Sequence, residues 1–197
     1  MCSILGVFDL RPGADLRPLR PLALSLSARQ RHRGPDWSGV YAEPRCLLVH
    51  ERLAIVDPAG GAQPLRSADG ALALAVNGEV YNHLDLRAAL EADQGSIQWR
   101  SSSDTETLLA CFEAFGIEQT LHLCHGMFAL ALWDREARIL TLARDRLGEK
   151  PLYYGWQGDA LLFGSELKAL KAHPAFEATI DRGALALLMR LNADTLR

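Results

Sequence analysis

Met1-Cys2-Ser3-Ile4-Leu5-Gly6-Val7-Phe8 opens the chain. A short apolar run directly behind a cysteine reads as a buried strand, stopped by Arg11-Pro12-Gly13. The small second residue permits removal of Met1, which would leave Cys2 with a thiol and a free α-amine on one carbon. Such an amine has an unperturbed pKa of about 7.7–8.0, so part of it is a free base at neutral pH. An N-terminal nucleophile of this kind carries its own general base. The ordinary alternative is a small residue at a frayed end, and the rest of the chain decides between the two.

Outward from that strand, leucines at 16, 19, 22, 24 and 26 suit a helix over about 16–31 packed on a sheet. A cationic loop, Arg31-His32-Arg33-Gly34-Pro35-Asp36, leads to short strands near 38–42 and 46–50. His50-Glu51-Arg52-Leu53-Ala54-Ile55-Val56-Asp57 leaves the second of these for an irregular loop at Pro58-Ala59-Gly60-Gly61. An apolar strand over 71–76 ends in Asn77-Gly78, a turn signal, and a helix is expected over 82–92. Ser103-Asp104-Thr105-Glu106 has the form of a capping box and opens a helix running to Phe115, stopped by Gly116. A meander follows, with strands at 127–133 and 138–143 and again at 152–156 and 160–163. Helices are expected at 166–171 and 181–190, the latter capped by Asp181. Many short strands with helices before and between them give two sheets with helices outside, a layered α+β domain.

The 197 residues suffice for one domain with a full core. A net charge of -3 gives no electrostatic case for nucleic acid or an anionic membrane, and no apolar run approaches a membrane span. The four cysteines, Cys2, Cys46, Cys111 and Cys124, lack metal-type spacing, and no metal site is expected. With no secretory signal in view they read as thiols of a reducing cytoplasm, Cys46 and Cys111 being small core residues.

Three groups could serve chemistry around Cys2. Arg52 suits a bidentate clamp on a carboxylate. Asn77 and Gly78 could hold a developing oxyanion with a side-chain amide and a backbone N–H. Glu79 and Asp104 supply negative charge where elements end or begin. Taken singly each has a plain alternative: a surface arginine, a turn, a carboxylate at the positive end of a helix dipole. A substrate bearing a carboxylate, an ammonium and a carbonyl to be attacked would need all three, and glutamine is one.

The motifs come in a familiar order: Met-Cys-Ser-Ile-Leu-Gly, Arg-His-Arg-Gly-Pro-Asp, His-Glu-Arg-Leu-Ala-Ile-Val-Asp, Gln63-Pro64-Leu65 and Val-Asn-Gly-Glu-Val-Tyr-Asn at 76–82. Ser-Asp-Thr-Glu, Gly-Met-Phe-Ala at 126–129, Arg-Asp-Arg-Leu-Gly at 144–148 and Pro-Leu-Tyr-Tyr at 151–154 complete the set. Together they resemble the glutaminase domain of glutamine-hydrolysing asparagine synthetases, which are class II glutamine amidotransferases. The resemblance implies the N-terminal nucleophile hydrolase fold, a four-layer αββα sandwich of two antiparallel sheets. It implies Cys2 as nucleophile with its amine as base, and Asn77 and Gly78 as the oxyanion hole. Substrate would be bound by Arg52 on the α-carboxylate, by Leu53, Ala54, Ile55 and Val56 along the same loop, and by Glu79 and Asp104. The Arg31–Asp36 loop lies by the pocket in relatives, with no role assigned to it here.

Relatives continue into an ATP-dependent synthetase domain, and no phosphate loop stands in this sequence. The expectation is therefore an amidotransferase domain over 1–190. Residues 191–197 would be a truncated tail leading to an absent synthetase domain, which would use ATP and Mg; no cofactor is expected in this domain. The strongly apolar stretch Leu185–Leu191 favours that reading. Expected partners are L-glutamine, a C-terminal synthetase domain or partner chain, and a second copy in a homodimer. The competing functions are an amidotransferase serving another carboxylate, a non-catalytic glutamine-binding or scaffold module, and a proteolytic N-terminal nucleophile hydrolase.

Overall fold

A computed structural model describes residues 2–195. Strand β1 (Ser3–Asp9) is buried at every position, and its alternating side chains serve two cores. Leu5 and Val7 pack outward with Leu47, Val49, Leu162 and the helical Ala23 and Leu26. Ile4 and Phe8 pack inward with Leu48, Phe163, Ala75, Ala131 and Trp133.

The first sheet runs β2 (Trp37–Ala42), β3 (Cys46–Arg52), β1, β9 (Ala160–Gly164), β8 (Tyr153–Gln157), with every neighbour antiparallel. The second runs β4 (Leu65–Arg66), β5 (Leu72–Val80), β6 (Gly126–Asp134), β7 (Ile139–Arg144), also antiparallel. Helices α1 (Arg20–Ser27) and α5 (Leu167–Leu170) cover the outer face of the first sheet. Helices α2 (His83–Gln94), α3 (Asp104–Phe115) and α4 (Ile117–Leu123) cover the second. The result is the αββα sandwich. Within the first sheet Gly6 pairs with Phe163, whose ring folds over it: a Cβ on Gly6 would stand 2.0 Å from the ring.

Several local expectations differ from the structure. The expected 16–31 helix is three pieces, with 3-10 turns at Arg17–Leu19 and Ala28–Arg33 on either side of α1. Pro18 and Pro21 account for the first of the two breaks, since each is tolerated only in the first turn of a helix. Asn77-Gly78 is no turn, because β5 runs straight through it to Val80, paired with Ala129 and Phe128. Gly78 is used for its size: a Cβ there would meet Met127 O at 2.1 Å. The capping box forms by half. Ser103 Oγ accepts the Glu106 N–H at 3.2 Å, while the Glu106 carboxylate reaches past Ser103 to the N–H groups of Arg100 and Ser101. Helix α4 and strand β4 have no counterpart in the sequence reading.

Helix α6 (Arg182–Thr195) follows, with Asp181 Oδ1 accepting the N–H groups of Gly183 and Ala184. It exposes Leu185, Leu187, Leu188 and Met189. Among the described residues no helix is long and apolar enough to cross a membrane.

Candidate active site

β1 begins, β3 ends and β5 ends at the same edge of the sandwich, and α3 starts beside them. The antiparallel pairing of Ser3 with Glu51 puts Cys2 next to Arg52. A cleft at this edge is lined by Cys2, Arg52, Leu53, Ile55 and Val56 from one side. Asn77, Gly78, Glu79 and Asp104 line the other. Of the expected residues only Ala54 stays off its wall, with its N–H given to Asp36 Oδ2 at 2.8 Å.

Cys2 Sγ accepts the Leu53 N–H at 3.4 Å and lies 3.6 Å from Leu53 O, to which the thiol donates. Burial pushes the Cys2 thiol up, and the Leu53 N–H and the Arg52 charge offset this only in part. At neutral pH the group is therefore a thiol. Its backbone is pinned by the cationic loop: Arg33 Nε donates to Cys2 O at 3.1 Å while Arg33 Nη1 reaches Glu166 at 3.3 Å. Burial of Glu166 works against its charge, yet hydrogen bonds from Lys168, Arg33 and His32 hold its carboxyl below the usual range. The loop left without a role in the sequence thus holds the backbone of Cys2.

Arg52 is 7% exposed. Nη1 donates to Pro58 O at 3.1 Å, and Nη2 donates to Val56 O at 3.3 Å and Asp57 O at 2.5 Å. Of five N–H donors this leaves Nε and one Nη1 hydrogen for a ligand. The loop it gathers is tied down again by Asp57, whose carboxylate accepts the N–H groups of Gly60 and Ser102, both at 2.8 Å.

Strand geometry identifies the backbone donor. In a strand, alternate N–H groups point to the same side. Val76 N–H goes to Gln63 Oε1 at 2.7 Å and Val80 N–H to Asp104 Oδ2 at 2.8 Å, both away from β6. Gly78 N–H, between them, therefore points out of the open edge of β5 into the cleft that Gln63 and Asp104 line. Asn77, fully buried on the inter-sheet face, lines the same wall. Asp104 has Oδ1 left for the cleft, and Glu79 is half-buried beside it.

Sequence reasoning gave no role to Gln63 or Lys150, both on the wall. Gln63 stood in a motif, but nothing in its neighbours signals that its amide would bond Val76 N–H and Thr105 Oγ1. Lys150 is 4% exposed and arrives on a loop shaped by Asp145, which accepts the N–H groups of Glu149 and Lys150.

The sequence profile of the glutamine amidotransferase domain family matches residues 1–196. Asparagine synthetase B (glutamine-hydrolyzing) of Escherichia coli (strain K12) is 48% identical over 172 residues, covering 86% of this chain and 30% of that protein. A probable asparagine synthetase (glutamine-hydrolyzing) of Dictyostelium discoideum is 45% identical over 172 residues, covering 87% and 30%. The chain thus spans about a third of the length of these relatives. Among solved structures, the glutamine phosphoribosylpyrophosphate amidotransferase of B. subtilis superposes with a TM-score of 0.68 at 25% identity, over 86% of this chain and 43% of that one. Fold, profile and relatives agree: the chain belongs to the glutamine amidotransferase domain family and has the N-terminal nucleophile hydrolase fold.

Proposed function

We propose that the cleft hydrolyses L-glutamine to glutamate and ammonia through a γ-glutamyl thioester on Cys2. The observation that carries this is the Gly78 N–H, aimed from a strand edge into the cleft that Cys2 lines. Arg52 takes the α-carboxylate through one of its uncommitted donors, and Glu79 and Asp104 Oδ1 take the α-ammonium. Once Met1 is removed, the Cys2 amine accepts the thiol proton as Sγ attacks the γ-carbonyl. Gly78 N–H and the Asn77 amide meet the oxyanion. The amine returns the proton to the leaving nitrogen, ammonia departs, and water hydrolyses the thioester.

We extend the reading to the larger proteins this chain matches in part. The ammonia would amidate a carboxylate, aspartate above all, in an ATP-dependent synthetase domain. An intact set of Cys2, Arg52, Asn77, Gly78 and Asp104 around one cleft favours catalysis over a binding module.

The test is ammonia and glutamate released from glutamine by protein whose Cys2 N-terminus is verified by mass, with Cys2→Ala as control. Stoichiometric release that vanishes in Cys2→Ala supports the reading. A processed, folded protein that binds glutamine without turning it over would make it a binding module.

A further inference from the structure

Asn77 must present its NH2 end to the cleft if it is to stabilise an oxyanion, and the two ends of a carboxamide have the same shape. Something has to tell them apart. Asn77 Nδ2 lies 3.3 Å from Ser165 Oγ, and Asn77 Oδ1, fully buried, has no hydrogen-bond partner. In that setting the NH2 end is spent on Ser165 instead of being free for the developing negative charge.

Ser165 follows β9 directly and is itself fully buried. Its Oγ accepts the Ile4 N–H at 3.0 Å, and its own N–H goes to Ile4 O at 2.9 Å. With Ile4 N–H filling one lone pair, the hydroxyl still has a proton to give, and Asn77 is the side chain bonded to it. A half-turn of the amide lets that proton go to Oδ1. The Ser165 bond is kept, the orphaned acceptor is satisfied, and the NH2 end is released from Ser165. The substrate oxyanion then supplies the acceptor that the turned NH2 requires.

We propose that Ser165 is a positioning residue for the oxyanion hole. Its hydroxyl donates to the carbonyl end of the Asn77 amide and so turns the NH2 end toward the carbonyl under attack. Through Ile4 the same oxygen is fixed two residues from Cys2. It thereby links the strand of the nucleophile in one sheet to the strand of the oxyanion donor in the other. This rests on the reading of Asn77 given above.

The test is a double-mutant cycle on glutamine hydrolysis with Asn77→Ala, Ser165→Ala and the pair. Asn77→Ala alone is expected to lower kcat about 100- to 1,000-fold. Ser165→Ala is expected to lower kcat about tenfold with KM within about twofold, the worth of one oriented hydrogen bond. In the Asn77→Ala background Ser165→Ala should change kcat no further, and Ser165→Thr, which keeps the hydroxyl, should recover most of the rate. Should Ser165→Ala lose its fold, Ser165→Cys is of similar size with only a weak donor, and the same drop is expected of it. A full effect of Asn77→Ala beside an unchanged Ser165→Ala rate, or fully multiplicative effects in the pair, overturns the positioning role while leaving the oxyanion reading in place. An unchanged Asn77→Ala rate overturns both.

Discussion

Asp104 Oδ2 accepts the N–H of Val80 at 2.8 Å, which ties the first residue of α3 to the last residue of β5. The carboxylate thus holds the strand edge with one oxygen and faces the cleft with the other. Asp104→Asn keeps an acceptor for Val80 and loses the charge, so thermal unfolding should barely move while KM for glutamine rises about 10- to 100-fold. Asp104→Ala removes the tether as well and should cost a further 1–3 kcal/mol or so of stability. Equal KM values for Asp104→Asn and wild type would take Asp104 out of substrate binding.

Arg52 both gathers the carbonyls of residues 56–58 and faces the cleft. Lysine keeps the charge but has neither the fork nor the reach to serve both tasks. Arg52→Lys should raise KM by at least about tenfold and speed amide hydrogen exchange over residues 53–61. Unchanged exchange in that loop would mean that the carbonyl contacts do not hold it.

His50 is fully buried, its Nε2–H donating to Val76 O at 2.9 Å and its Nδ1 unpartnered. Burial lowers its pKa from the ordinary 6.5 to about 4, with Arg52 adding to the effect and Val76 O opposing it. A depressed histidine stabilises the fold above its unfolded value, and that contribution is lost as pH falls from about 6.5 toward 4. At about 1.4 kcal/mol per pH unit the loss amounts to about 3 kcal/mol. Urea unfolding of His50→Gln across that interval should show a shallower pH slope than wild type; parallel slopes would refute the assignment.

Cys2 sits above the ordinary thiol value of 9.0 because it is buried. In protein that retains Met1, alkylation by iodoacetamide should be slow at pH 7 and still climbing beyond pH 9. A plateau below pH 8 would mean a stabilised thiolate, and the amine would lose its place in the mechanism.

The layers were legible because β1 and β3 carry continuous apolar runs and the helices have plain stops. Gly116 ends α3 at φ 76, in the left-handed region that glycine favours. Cys2, Arg52 and Asp104 were legible as candidates, and meet at one cleft, because each stands at an element boundary. What escaped notice depends on tertiary approach. Asn77-Gly78 has the letters of a turn, and only the nearness of β6 makes it strand. Gln63, Lys150 and Ser165 owe their roles to partners 13 or more residues away for Gln63 and 88 for Ser165, or to a loop whose shape is set by Asp145. No local pattern encodes such meetings.

The open edge of β5 has a second meaning. A strand edge with free N–H groups invites another chain to add to the sheet, and proteins must block it. Here the donors of Val76 and Val80 are already engaged by Gln63 and Asp104, so an incoming strand would find one N–H, that of Gly78, where a ladder needs a row. The side chains that leave a single donor for a small substrate also deny the edge to a polymer, so losing either would invite aggregation as well as inactivity.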